Sequence, residues 1–152
     1  TTRSIVARYA PVKRYVEESG SRTVVDICKD DSVTIVIADI SRAEFVSAIS
    51  RRRRDGSVSQ DQHRLLKTAF AVHLLRDYLL AALEPAHVTA ACELIERHAL
   101  RAYDAIQLAV AISVRQKLLG STDKSFTFVS ADGDLAAAAR VEGLSVIEPS
   151  GA

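Results

Sequence analysis

Val33-Thr34-Ile35-Val36-Ile37-Ala38 decides the fold class. The run is short and β-branched, and it is apolar everywhere except Thr34. A strand covered on both faces reads this way, which places it at the centre of a parallel sheet. Asp39 stands at its end. Ser41-Arg42-Ala43-Glu44 then has the capping-box pattern, so a helix is predicted from there to about Arg53. A buried strand passing directly into a helix is the repeating unit of an α/β domain.

The same alternation extends outward in both directions. Ser4 to Tyr9 alternates weakly and is a candidate first strand. Pro11 suits a first helical turn, and Pro11 to Glu18 places Val12, Tyr15 and Val16 at helical spacing. Ser19-Gly20-Ser21 breaks that helix, and Ser21 to Lys29 forms another. Downstream, Asp55-Gly56 stops the helix that holds Glu44. Ser59-Gln60-Asp61-Gln62 is a second capping box, opening a long helix with Leu65, Leu66, Phe70 and Leu74. Tyr78 to Leu83 reads either as a strand or as the last turns of that helix. Pro85 opens a helix to about His98. A further helix begins near Asp104 and ends near Leu119-Gly120, before a polar loop, Ser121 to Lys124. Phe126 to Ser130 is a strand, Leu135 to Val141 a short Ala-rich helix, and Leu144 to Ile147 a last strand. The expectation is one domain over residues 1–152, a three-layer α/β/α sandwich around a mainly parallel sheet.

Composition narrows the function classes. The chain has 152 residues, 48% of them hydrophobic, enough for one real core. A net charge of +1 gives no global attraction for nucleic acid or membrane, so a polyanion would need a local patch or a bound cation. Cys28 and Cys92 lack metal-ligand spacing and are expected to be small buried hydrophobes. Arg3, Arg8, Lys13 and Arg14 interrupt the apolar residues at the start, so no secretory signal is expected. No apolar run is long enough to span a bilayer, and the expectation is a cytoplasmic protein without a membrane partner. His63, His73, His87 and His98 show no metal-ligand spacing. There is no Gly-rich phosphate loop and no G-x-S-x-G motif. Aromatic residues are few, which argues against base stacking.

Three acids remain. Asp132 lies just after a strand, Glu44 lies one turn into the helix after another strand, and Asp104 heads an otherwise apolar helix. In an open parallel sheet these positions share one edge, where sites form. Carboxylates grouped there raise each other's pKa unless a cation offsets the repulsion. Mg²⁺ or Mn²⁺, which favour carboxylate and water oxygens, would do so. Each acid also has a plain structural reading. Glu44 completes a capping box, Asp104 suits a helix dipole, and Asp132 before Gly133 suits a turn. Arg51 to Arg54 is a basic helix end, read first as a dipole-favoured cap and second as an RNA or partner contact.

At these residues the chain resembles the PIN-domain family, in particular VapC-like toxin ribonucleases. Pro11 to Ser21 looks like the family's first helix and turn, and Ser41-Arg-Ala-Glu-Phe45 like the segment bearing its second acid. His98-Ala-Leu-Arg-Ala-Tyr-Asp-Ala-Ile-Gln-Leu-Ala109 is similar to its most recognisable motif, and Phe128-Val-Ser-Ala-Asp132 to the segment with its fourth acid. The resemblance implies a Mg²⁺- or Mn²⁺-dependent endoribonuclease, the toxin of a pair with a small antitoxin. Glu44, Asp104 and Asp132 would be metal and catalytic residues. Asp134 would be an auxiliary acid and Ser130 a supporting hydroxyl. Arg101, Arg51 and Arg52 would be substrate contacts. It also implies a homodimer, for which the helix from Ser59 to Asp77 has apolar residues to spare.

The chain departs from the family pattern at its start. The family's first strand ends in an aspartate, with a hydroxyl residue two places on. Counting back from Val12-Lys13-Arg14-Tyr15 puts these at Ala7 and Tyr9, and no acid precedes Glu17. Asp39 is the nearest substitute. Beside the ribonuclease stands the alternative of a degenerate member that binds RNA or a protein partner without efficient cleavage. A phosphotransfer receiver domain would need an acid at the same strand end and falls behind both.

Overall fold

The computed structural model describes residues 4–8, 11–118 and 125–149, with the backbone only at 4–8, 11 and 12. Tyr9, the expected end of the fifth helix at Leu119-Gly120 and the expected loop Ser121–Lys124 lie outside the described residues. Five strands form one sheet: β1 (Ser4–Arg8), β2 (Val33–Ala38), β3 (Tyr78–Ala81), β4 (Phe126–Val129) and β5 (Ser145–Ile147). Their order is β3-β2-β1-β4-β5, and all four pairings are parallel. Six α-helices among the described residues accompany them: α1 (Ser21–Lys29), α2 (Ser41–Arg54), α3 (Gln60–Arg76), α4 (Pro85–Arg97), α5 (Ala102–Leu118) and α6 (Gly133–Val141).

β2 shows why the sheet is covered on both faces. Ile35 and Ile37 join Phe45 and Ile49 of α2, Phe70 of α3 and Tyr78 in one core cluster. The alternate residues Val36 and Ala38 face Val110, Ala111 and Val114 of α5 instead. A second core, built from Ala91, Leu94, Ala105, Leu108, Phe128, Leu135 and Leu144, joins α4, α5 and α6 to β4 and β5. Alternating strand residues feeding two helical layers give the three-layer α/β/α sandwich. The order also fixes where a site forms. From β1 the chain steps to β2 and β3 on one side, then returns through α4 and α5 to β4 and β5 on the other. β1 is therefore the switch point of the sheet, where a crevice opens at the carboxyl ends of the strands.

Three local expectations are corrected. The Pro11–Glu18 segment is not a full helix. A 3-10 turn covers Pro11–Arg14, and the following residues leave helical geometry as Tyr15 enters the core edge-on to Phe45 and Phe70. Arg14 fixes that turn by donating to the Tyr78 hydroxyl at 2.8 Å and to Asp77 at 3.0 Å. Gly20, at φ 82°, then reverses the chain into α1 beside the Pro149 backbone. The Ser41 capping box does not form, because α2 starts one residue earlier than the pattern implies. Ile40 is its N-cap and makes no side-chain cap bond. Cys92 is exposed rather than buried, and Cys28 is half-buried. The second capping box is present as read, with Ser59 and Gln62 each bonding the other's backbone N–H. Tyr78 to Leu83 resolves to an edge strand over Tyr78–Ala81. No helix among the described residues is long and apolar enough to cross a membrane.

Candidate active site at the carboxyl edge of the sheet

The site is assembled from the ends of β1, β2 and β4 and the starts of α2, α5 and α6. Freed from capping, Ser41 is fully buried and accepts a hydrogen bond from the Gln107 amide at 2.9 Å. The same Gln107 Nε2 donates to the Tyr103 hydroxyl at 2.6 Å, and that hydroxyl donates to Glu44 Oε2 at 3.0 Å. An amide, a phenol and a carboxylate thus form a relay that ties the first turn of α2 to the first turns of α5. Burial, and after it the Glu44 carboxylate, pushes the Tyr103 phenol well above its ordinary range. The phenol stays protonated and acts as the donor to Glu44. Glu44 therefore binds across to α5 rather than back to its own helix start, contrary to its plain capping reading.

Asp104 follows Tyr103 in the first turn of α5 and is 8% exposed. Asp132 is the N-cap of α6, and its Oδ1 accepts from the Leu135 amide at 3.0 Å. Ser130, fully buried at the end of β4, accepts from the Asp132 amide at 3.1 Å and so fixes the turn that presents Asp132. Asp134 is exposed in the first turn of α6. Asp39 at the end of β2 is ion-paired to Arg42 at 2.6 Å on the surface. Ala7 sits near the end of β1, in register with Val36 on one side and Phe128 on the other. The switch-point strand brings no carboxylate to the crevice.

Among the described residues no group of three or more His, Cys, Asp or Glu side chains is placed to hold a metal ion. One Glu44 oxygen is committed to Tyr103 and one Asp132 oxygen to a helix cap. The candidate substrate cations separate in their surroundings. Arg101 and Arg51 are exposed, whereas Arg52 is bound to Glu18 at 2.6 Å. Arg97 pairs with Glu142, the C-cap of α6.

Sequence reasoning missed Ser41, Tyr103 and Gln107 as a unit. The signal was available at Gln107, an amide four residues after Tyr103 in the apolar run Ala105-Ile106-Gln107-Leu108-Ala109. A buried amide there requires partners on another element.

Comparison with known proteins agrees with this architecture. No curated protein matches the chain as a relative. Among solved structures it is similar to VapBC2 from Rickettsia felis, a structure described as bound to a DNA fragment from their promoter. The TM-score is 0.61 at 13% identity over 95% of this chain and 98% of that one, a likeness of fold. The PIN domain family model matches residues 13–139, which is most of the sequence. This chain is a member of the PIN-domain family.

Proposed function

We propose that this chain is the toxin-side protein of a VapBC-type toxin–antitoxin pair, that it engages RNA at the carboxyl edge of its sheet, and that its hydrolysis of RNA is weak. PIN domains are generally metal-dependent nucleases, and the structural neighbour is a VapBC protein, which supports an antitoxin as the natural partner. One observation carries the word weak. At the switch point of the sheet stands Ala7, where the family pattern has an aspartate. Glu44, Asp104 and Asp132 remain the residues through which any residual chemistry would pass, with Ser130 holding the Asp132 turn.

A second reading, a fully competent Mg²⁺- or Mn²⁺-dependent ribonuclease, is favoured by Glu44 alone. Its side chain binds Tyr103, the residue beside Asp104. The experiment that separates the two compares the parent with Ala7→Asp on structured RNA, with Mg²⁺, Mn²⁺ or EDTA. An inert parent and metal-dependent cleavage by the variant support the first reading. EDTA-sensitive cleavage by the parent, undiminished relative to the variant and abolished by Asp104→Asn, defeats it in favour of the second. We also propose a homodimer through α3, where Leu65, Val72 and Leu75 are 63%, 40% and 90% exposed and share one helix face.

A further inference from the structure

The hairpin of α2 and α3 ends in a concentration of positive charge that the crevice does not use. Residues 51–67 hold six Lys and Arg against two Asp, in a chain whose net charge is +1. The rest of the molecule is therefore net acidic, and the hairpin tip is a local pole. Its inner side is a concave pocket lined by Arg53, Gln60, His63, Arg64, Lys67 and Thr68. Gln60, Arg64 and Lys67 follow one another at four and three residues, one face of the first turns of α3. Arg53 reaches across from the end of α2, where its Nη1 donates to the Gln60 carboxamide at 3.0 Å. That bond aims the guanidinium at the pocket and leaves its charge unneutralised.

Of the two acids here, Asp55 acts on Arg51 and Arg52 rather than on the pocket cations. Asp61 meets Arg64 only at 3.4 Å, with both side chains more than 70% exposed, so the pair is screened and weak. Arg51, Arg54 and Lys67 make no salt bridge among the described residues. Arg52 alone is turned away, to Glu18. The positive potential also reaches His63, which is 8% exposed and bonded to Ser50 through Nε2. Burial first, and then Arg53 and Lys67, holds its imidazole below the ordinary value.

We infer that the α2–α3 hairpin tip is a contact site for the phosphate backbone of nucleic acid, with Arg53, Arg64 and Lys67 as the binding cations. For a chain engaging RNA, as proposed above, that strand is RNA. Cations without aromatic neighbours match phosphates rather than bases, so the contact positions a strand without reading its sequence. An acidic protein segment is the poorer fit, because protein interfaces centre on buried aromatic and aliphatic anchors and this pocket has none. The tip lies on the same helix as the crevice. Ten residues separate Glu44 from Arg54 in α2, about 15 Å along its axis, so a strand held at the tip is delivered towards the acids.

The test titrates the full-length protein with a fluorescein-labelled oligouridylate at several salt concentrations, following anisotropy. The site variant is R53Q/R64Q/K67Q. A control of equal charge removal is R22Q/K29Q/K117Q, remote from the tip. All the substituted residues are surface positions, and a thermal melt checks that both variants are folded. Removing three phosphate contacts should flatten the slope of log K against log salt by about 2 and weaken binding roughly 10- to 50-fold near physiological salt. The control should keep the parent's slope. Equal binding of an oligothymidylate agrees with backbone recognition. If the parent binds and both variants weaken alike, the tip is not the site, while the RNA-engaging reading stands. If the parent binds neither oligonucleotide at low salt, both fall together. Competition by an oligoglutamate as effective as by RNA, lost in the site variant, would reassign the tip to an acidic protein partner.

Discussion

Removing one oxygen atom, by Tyr103→Phe, tests the relay that organises the crevice. The phenol accepts from Gln107 at 2.6 Å and donates to Glu44 at 3.0 Å. Phenylalanine keeps the ring volume, so no cavity adds to the effect. What is lost includes one bond to a carboxylate and one to an amide whose other partner, Ser41, is fully buried. Hydrogen bonds to charged groups contribute about 1.5–3 kcal/mol and neutral ones about 1 kcal/mol, and the half-buried position admits water that recovers part of this. The expected destabilisation is about 2 kcal/mol, or roughly 4–8 °C in the melting temperature of a domain this size. Chemical denaturation of the parent, Tyr103→Phe, Glu44→Gln and the double variant completes a cycle. A coupling between the two positions of about 0.5–2 kcal/mol is expected. An unchanged midpoint for Tyr103→Phe, with no coupling, would show that the phenol does not hold Glu44, and the account of how α2 meets α5 would fail.

Two further substitutions and a pH series extend the reasoning. Gly20 has φ +82°, and a Cβ there would collide with the Pro149 backbone, whereas Gly56 has φ +84° with open space around it. Gly56→Ala should therefore cost only the backbone strain, about 1 kcal/mol, and Gly20→Ala clearly more, with equal losses in denaturant midpoints counting against the Gly20–Pro149 contact. Glu142 is held below its ordinary carboxylate range first by the His98 hydrogen bond and then by Arg97. A depressed carboxylate stabilises the fold above its unfolded pKa, and that contribution is lost as pH falls through the folded value. Glu142→Gln should be less stable than the parent at neutral pH and approach it below about pH 4, and a constant gap would contradict the linkage. Leu75→Glu places a charge on the exposed face of α3, so light scattering should show a dimeric parent and a monomeric variant, and a monomeric parent would remove the homodimer.

The α/β alternation was legible because strands buried on both faces announce themselves. Val33–Ala38 coincides with β2 to the residue. The Ser59 box was legible because both of its bonds are local to one helix start. What the sequence misassigned was decided by distant residues. The Pro11–Glu18 periodicity is real, but Arg14 and Tyr15 satisfy it by packing against Asp77, Tyr78 and Phe45, some thirty to sixty-four residues away, rather than by extending a helix. Ser41 matches a capping pattern, but Gln107, sixty-six residues on, bonds its hydroxyl. Tyr78–Leu83 was ambiguous because an edge strand with Leu79 and Leu80 exposed lacks the one-sided pattern that separates strand from helix.

The acids illustrate a subtler limit. Their common edge followed from strand-then-helix order, and the relay does bring Glu44 to the residue beside Asp104. The strand at the switch point carries Ala7 where the family pattern has an aspartate. A missing side chain changes its neighbours' roles. Glu44 places one oxygen on a phenol and Asp132 one oxygen on a helix N-terminus. The tyrosine relay and the absent aspartate are then two sides of one arrangement. If that is correct, Ala7→Asp alone should restore less ion affinity than Ala7→Asp with Tyr103→Phe, because the second substitution frees the Glu44 carboxylate. Isothermal titration with Mn²⁺ on the two variants measures this directly. Equal affinities would mean that the phenol does not compete with the ion, and that the relay and the missing acid are independent features of the chain.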